Sequence, residues 1–210
     1  MTRHSSGIRR LFGGFTGREN GSLTTESVIV FPIFVWAITL TYTYFDGFRE
    51  STANLKAAYT VSDLISREGE VELTDAYALS MYSVFNRMVR DNSALKMRLS
   101  YIRFVEGAEG EEDTHSVLWT TRCGYNTAWT DDNVNKLAAH LPEMADLDTL
   151  IVVETSKDYV PLLTTGWLNR DHKFNNLIFT RPRFAPKIES DFSPTFCPQD
   201  LASENAATGA

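Results

Sequence analysis

The longest apolar segment of the chain lies near its N-terminus, where residues 27–45 form a run of 19 residues without a charge. An α-helix rises about 1.5 Å per residue, so this run would be about 28 Å long as a helix. The hydrocarbon core of a bilayer is about 30 Å thick, and the run therefore predicts a membrane-spanning helix. Trp36 lies inside it, and Tyr42 and Tyr44 lie near its end, where aromatic side chains favour the membrane interface. The buried core helix of a soluble protein is the alternative.

Pro32 interrupts this predicted membrane helix. Proline has no N–H, so the carbonyl of Val28 loses its usual helical partner, and we expect a modest kink or a polar neighbour. Neighbouring helices can supply that partner inside a membrane. The hydroxyls of Thr39, Thr41 and Thr43 could bond either to such helices or to the backbone of their own helix.

Helical spacing continues beyond the apolar run. One predicted face carries Phe48, Leu55, Ala58, Tyr59, Ser62 and Ile65. The pattern therefore predicts a single helix from about Ser22 to Arg67, with its first half in the membrane and its second half extending outward as a stalk. Two helices that break near Asp46 and Gly47 are the alternative.

The rest of the chain alternates between helix and strand signals. Met97, Leu99 and Tyr101 alternate with polar residues in a strand predicted over 96–105. Further strands are predicted over 115–122, 148–154 and 175–184, and helices from about residue 74 and over 130–142. Pro182 indicates the end or the edge of the last strand. The predicted fold class is α+β, with an antiparallel sheet packed by helices on one face.

Charge and composition divide the chain further. Residues 1–21 hold four arginines and one glutamate, a net charge of +3, whereas residues 46–210 hold 16 basic and 25 acidic residues, a net charge of −9. Positive charge before a membrane helix favours a cytoplasmic N-terminus, which places the remainder in the periplasm or outside. An acidic domain without a basic patch argues against nucleic-acid binding. Residues 185–210 are rich in Pro, Ser, Ala and Asn, so a disordered tail is predicted.

The predicted organisation is therefore a basic cytoplasmic leader over residues 1–21 and a transmembrane helix over 22–46. A periplasmic stalk and α+β domain follows over 47–184, before the tail. The two cysteines, Cys123 and Cys197, could pair in an oxidising compartment or stay reduced in the cytosol. The loop between them would make such a disulfide worth about 4 kcal/mol on the chain-entropy model.

No catalytic, nucleotide-binding or metal-binding motif is present. The four histidines show no ligand spacing, and we expect no metal, no cofactor and no enzymatic activity. Glu154 follows an apolar stretch, where a carboxylate more often ends a strand or pairs with an arginine than acts as a catalytic acid.

Glu26 stands directly before the apolar run, where an unpaired carboxylate is costly in lipid. If a peptidase cut after Gly21, Ser22 would become the first residue and Glu26 the fifth. Glycine suits a cleavage site because its backbone is adaptable. Gly14 has the same spacing to Glu19, but polar residues follow Glu19, so we favour Gly21. A glutamate that reaches toward the membrane interface is the alternative interpretation.

The segment GSLTTESVIVFPIFVWAITLTYTYFDGFRESTANLKAAYTVSDLISRE resembles the N-terminal region of TadE/TadF-type minor pseudopilins, which belong to the tight-adherence (Flp) type IV pilus machinery of bacteria. Glu26, an apolar run and Pro32 match the family pattern of glutamate, apolar residues and proline. The similarity covers about residues 21–68, with a weaker match over 174–188 around FTRPRFAPKI. Ser22 departs from the aromatic first residue of major pilins, which fits a minor component.

The resemblance implies a non-enzymatic, single-pass protein of the bacterial inner membrane that serves adhesion through pilus assembly. Its partners would be the lipid bilayer, a prepilin peptidase that cuts after Gly21, and other Flp/Tad assembly proteins. An uncleaved, membrane-anchored periplasmic binding or sensor module is the alternative function. It would share the topology but need a ligand pocket in its outer domain.

Overall fold

The computed structural model describes residues 23–69, 72–89, 95–108, 111–159, 161, 172–184 and 187–198. The chain divides into two compact units at the boundary between Phe45 and Asp46. The elements, in chain order, are α1 (Leu23–Arg67), β1 (Leu73–Thr74), α2 (Asp75–Val89), β2 (Leu95–Val105), β3 (Thr114–Cys123), α3 (Asn135–Ala138), β4 (Thr149–Tyr159), β5 (His172–Thr180) and β6 (Ser190–Asp191). The protein is therefore α+β with a long, apolar N-terminal helix.

The main sheet has four antiparallel strands in the order β3-β2-β4-β5. Strand β2 lies at its centre, paired with β3 through Met97 and Cys123 and with β4 through Leu99 and Val153. The register of β2 and β3 shifts after Tyr101, where the pairing is irregular. A separate two-stranded parallel pair joins β1 to β6.

Helices α1 and α2 pack on one face of the sheet, as predicted. Ala58 and Ile65 of α1 and Phe85 of α2 share a buried cluster with Leu99 of β2 and Val153 of β4. The other face of the sheet is also covered, which the hydrophobic pattern of the sequence did not predict. Its cover is the segment around α3, whose residues form a second cluster with the strands: Val134, Leu137, Ile102, Leu150 and Val152.

The buried face in the second half of α1 is rotated relative to the predicted one. Ala58, Ser62 and Ile65 are buried as expected, but Phe48 and Tyr59 are 56% and 57% exposed. The reason is that the buried face starts with polar residues, which a hydrophobic pattern does not identify. That face carries Asp46, Glu50, Asn54, Ala57, Ala58, Val61 and Ile65.

Strands β4 and β5 also differ from their predicted bounds. Strand β4 continues to Tyr159 instead of ending at Glu154, because its polar residues Thr155 and Lys157 are buried under α1. Strand β5 starts at His172 and ends at Thr180, two residues before Pro182. It is an edge strand, so a proline at its end removes no ladder hydrogen bond from the sheet.

Residues 187–198 follow a packed path, which differs from the predicted disorder. The backbone N–H of Phe196 donates to the carbonyl of Arg122 at 3.2 Å, and the hydroxyl of Thr121 donates to the carbonyl of Ser193 at 2.8 Å. Phe196 is 3% exposed. Cys197 forms a disulfide with Cys123, the last residue of β3. These contacts override the loop-like composition, and residues 199–210 lie outside the described part.

The disulfide gives a first testable prediction. The two cysteines are 74 residues apart, so the double variant Cys123→Ala/Cys197→Ala should lower the free energy of unfolding by about 4 kcal/mol. Backbone amides of 187–198 should also exchange faster. Chemical unfolding and hydrogen exchange in detergent measure both effects, with the oxidised and reduced wild type as controls. An unchanged unfolding free energy and unchanged exchange would contradict the packed tail.

Candidate functional site

The first unit presents an apolar surface on all sides of α1. Phe31 and Phe45 are 70% and 72% exposed, and Trp36, Tyr42 and Tyr44 are exposed as well. Within the described residues, Thr25–Arg67 is the one helix long and apolar enough to cross a membrane by length and composition. A core helix of a soluble protein passes the same test, but such a helix is mostly buried, whereas 0% of this apolar window is buried.

Hydroxyl groups in this apolar half bond to the helix itself. Thr39 and Thr41 donate to the carbonyls four residues before them at 2.8 Å, and Thr43 does so at 2.9 Å. Of the two roles that the sequence left open for these threonines, the structure thus shows the bond to their own backbone. Each of these hydroxyls is therefore satisfied within the helix, which lowers the cost of placing the threonine in lipid.

Glu26 lies exposed in the first turn of α1, one turn before Val30 and six residues before Pro32. A carboxylate there is favoured by the positive end of the helix dipole. Gly21 and Ser22, the predicted cleavage position, lie outside the described residues, so the structure gives no geometry for that site.

Three polar residues begin the sheet-facing side of α1 in the second unit. The hydroxyl of Tyr159 donates to the carboxylate of Asp46 at 3.0 Å, and the ammonium of Lys157 donates to that of Glu50 at 2.7 Å. One turn further on, Asn54 Nδ2 donates to the carbonyl of Phe174 at 3.3 Å. The sequence signal was the spacing of Asp46, Glu50 and Asn54, which at four-residue intervals share one helix face.

An exposed apolar stripe follows the outer side of the same helix segment. Phe48, Leu55 and Tyr59 are 56%, 40% and 57% exposed. Thr52 lies between them, and its hydroxyl donates to the carbonyl of Phe48 at 2.8 Å. The positions 48, 52, 55 and 59 alternate in steps of four and three residues, the spacing with which one helix packs along another.

A second polar centre lies on the opposite face of the sheet. Arg98 on β2 forms two hydrogen bonds with the carboxylate of Glu154 on β4, at 2.5 and 2.7 Å. Its guanidinium also donates to the carbonyl of Thr127 at 2.7 Å and lies over the rings of Tyr125 and Trp129, 4.7 and 4.4 Å from their centroids. These contacts attach the segment after β3 to the sheet.

The same carboxylate accepts a hydrogen bond from the indole N–H of Trp129 at 2.5 Å. Burial raises the pKa of the nearby Tyr125 hydroxyl to about 12, the negative charge of Glu154 adds to the rise, and Arg98 opposes it. Tyr125 therefore remains neutral at physiological pH. Gly124 makes the approach of this segment possible, because its φ of 76° suits glycine and a Cβ there would meet the Lys96 side chain at 2.9 Å.

The contacts of this centre join two strands and the segment after β3. Glu154 pairs with Arg98, and both of its oxygens accept hydrogen bonds from neighbouring side chains. Across the described ranges, no group of three or more His, Cys, Asp or Glu side chains could hold a metal ion.

Comparisons with known protein families, with curated proteins and with solved structures find no match for this chain. The residues and their contacts therefore carry the functional interpretation.

The Arg98–Glu154 pair gives the second testable prediction. The side chains are 7% and 14% exposed, so Glu154→Gln would leave a buried guanidinium without its counter-charge and should cost about 3–5 kcal/mol in unfolding free energy. The control is Arg67→Ala, which breaks the Asp63–Arg67 pair whose side chains are 38% and 54% exposed. That change should cost about 0.3–0.5 kcal/mol. If chemical unfolding showed that both variants lose an equally small amount of unfolding free energy, the structural role of the buried pair would be contradicted.

Proposed function

We propose that this protein is a membrane-anchored, non-enzymatic subunit of a bacterial pilus assembly system, similar to the TadE/TadF-type minor pseudopilins. The observation that carries the proposal is the exposed apolar half of α1, which begins directly after Glu26 and contains Pro32. An apolar surface of this extent needs lipid or other apolar helices around it. A pseudopilin requires both environments, since its helix resides in the membrane before it packs against other subunits.

The orientation of the proposed anchor follows from charge. The net charge of +3 over residues 1–21 favours a cytoplasmic N-terminus, with the acidic domain in the periplasm. The Cys123–Cys197 disulfide supports this orientation, because disulfides persist in oxidising compartments such as the periplasm. The proposed location is therefore the bacterial inner membrane.

The proposed role of Glu26 is recognition and alignment. A prepilin peptidase would cut after Gly21 and leave Ser22 as a free amine. In an assembly, the carboxylate of Glu26 could then pair with the amine of a neighbouring subunit at lower cost than it would bear alone in lipid.

Helix packing is the proposed work of the mature protein. The stripe formed by Phe48, Thr52, Leu55 and Tyr59 supports a helical partner that continues beyond the membrane, because its exposed apolar side chains have the spacing of a helix seam. Other Flp/Tad assembly proteins are the proposed partners.

Processing gives the third testable prediction. In native membranes, wild-type protein should begin at Ser22, and Gly21→Val should retain residues 1–21, because a β-branched side chain restricts the backbone at the scissile position. Sequencing of the N-terminus measures this directly. Gly14→Val is the matched control, since Gly14 has the same spacing to Glu19, and it should be shortened normally.

Normal shortening of Gly21→Val, or loss of shortening in Gly14→Val alone, would refute cleavage after Gly21. An intact leader on the wild-type protein would instead favour the uncleaved membrane-anchored binding or sensor module.

A further inference from the structure

An amine, a carboxylate and a carboxamide lie on the facing sides of β4 and α1: Lys157 on the strand, and Glu50 and Asn54 one turn apart on the helix. The side chain of Lys157 is 0% exposed, and its Nζ lies 2.7 Å from Glu50 Oε2. Lysine is rarely buried completely, because the ammonium loses its hydration. Near this pair, the rings of Tyr159 and Phe174 lie with their centroids 5.3 Å apart and help to exclude water.

Asn54 supplies the carboxamide. It is 0% exposed, and it lies one turn after Glu50 on the same face of α1. Its Nδ2 donates to the carbonyl of Phe174, and Phe174 is the residue directly opposite Lys157 in the register of β4 and β5. The amide of Asn54 is therefore held beside the strand position from which the lysine side chain extends.

The carbonyl oxygen of this amide has no hydrogen-bond partner among the described residues, although it is buried. An unsatisfied buried amide oxygen is costly and calls for an explanation. An oxygen that must accept negative charge or a proton during a reaction would be one.

We propose that Lys157 and Asn54 form an intramolecular isopeptide bond, with Glu50 as the proton carrier. The reaction needs no external reagent, because the amine, the carboxamide and the carboxyl group are all part of the folded chain.

The ammonium of Lys157 gives a proton to the carboxylate of Glu50 along their hydrogen bond, and the neutral amine keeps its electron pair. Rotation of the flexible lysine stem brings Nζ to Asn54 Cγ, where that pair forms the new N–C bond and the C=O electrons move to Oδ1.

Glu50 then protonates the departing Nδ2, the C–N bond breaks, and ammonia leaves as the carbonyl re-forms. The second proton lost from Nζ passes through Glu50 to the ammonia, which leaves as ammonium, so that Glu50 is again a carboxylate. The products are an amide between Lys157 Nζ and Asn54 Cγ and one ammonium ion, with no change in oxidation state.

Such a bond would join α1 to the sheet covalently. A pull along α1 would then be transmitted to β4 through the chain itself, without depending on packing between the two elements. The inference goes beyond the proposed function and does not depend on it, since the chemistry requires only the fold of the second unit.

The isopeptide bond gives the fourth testable prediction, which mass spectrometry of the wild-type protein purified in detergent measures. The intact mass of the protein should lie one ammonia below the mass calculated from its sequenced first residue to its C-terminus with the disulfide formed. After reduction and trypsin digestion, the peptide of residues 50–56 should be joined to that of residues 137–170, because trypsin does not cleave after an acylated Lys157.

Three variants should restore the full mass and the separate peptides: Lys157→Met, Asn54→Ala and Glu50→Gln. The matched control is Asn176→Ala, on the neighbouring β5 position, where the asparagine bonds to Thr155 at 3.4 Å. That variant should keep the mass deficit. The wild-type result decides even if a variant misfolds: a full mass with normal cleavage after Lys157 would overturn the proposal.

Discussion

One helix carries two different kinds of surface. Helix α1 is apolar on every side through residues 27–45, and 0% of its apolar window is buried. Transfer of apolar surface out of water contributes about 25 cal/mol per Å², so a helix with several exposed aromatic side chains is strongly driven out of water. From Asp46 onward the same helix has a distinct inner side, which packs on the sheet, and an outer side, which faces away from it.

Polar contacts decide how the sheet is held on both faces. Asp46, Glu50 and Asn54 join α1 to β4 and β5 before the apolar packing of Ala58 and Ile65 takes over. On the opposite face, Arg98 and Glu154 hold the segment that carries Trp129. Each of these hydrogen-bonded pairs has a fixed geometry. They therefore favour one position of α1 and of the segment around Trp129 on the sheet, where apolar contacts alone would also permit shifted positions.

The sequence was sufficient to predict an element where its apolar residues recur at the spacing of that element. The continuous α1 helix, α2 and the β2–β3 hairpin follow from residues such as Phe85, Met97 and Leu99, whose spacing reflects a single buried side. The pattern failed where polar residues are buried. Lys157 is charged, so the end of β4 was not predicted as part of the strand, and Glu50 was not assigned to the buried face of α1 for the same reason. The two side chains pair with each other in the fold, and local spacing does not reveal a partner so far away in the sequence.

The same limit applies to the candidate sites. Glu26 and Pro32 could be singled out from the sequence because their position next to an apolar run is local information. The packed path of residues 187–198 could not be predicted from the sequence, because it depends on the disulfide of Cys197 with Cys123 and on the burial of Phe196 in the core. The pairing of Arg98 with Glu154 similarly required the register of β2 against β4.

Membrane insertion of α1 is the central claim, and flotation of the full chain in a density gradient after alkaline carbonate extraction tests it most directly. The wild-type protein should float with the lipid and need detergent for release. A variant with Val35→Arg and Ile38→Arg should be extracted, because each arginine near the bilayer centre costs about 2.5–3.5 kcal/mol on the insertion scale. Recovery of the wild-type protein as a dispersed species in detergent-free buffer would contradict the account.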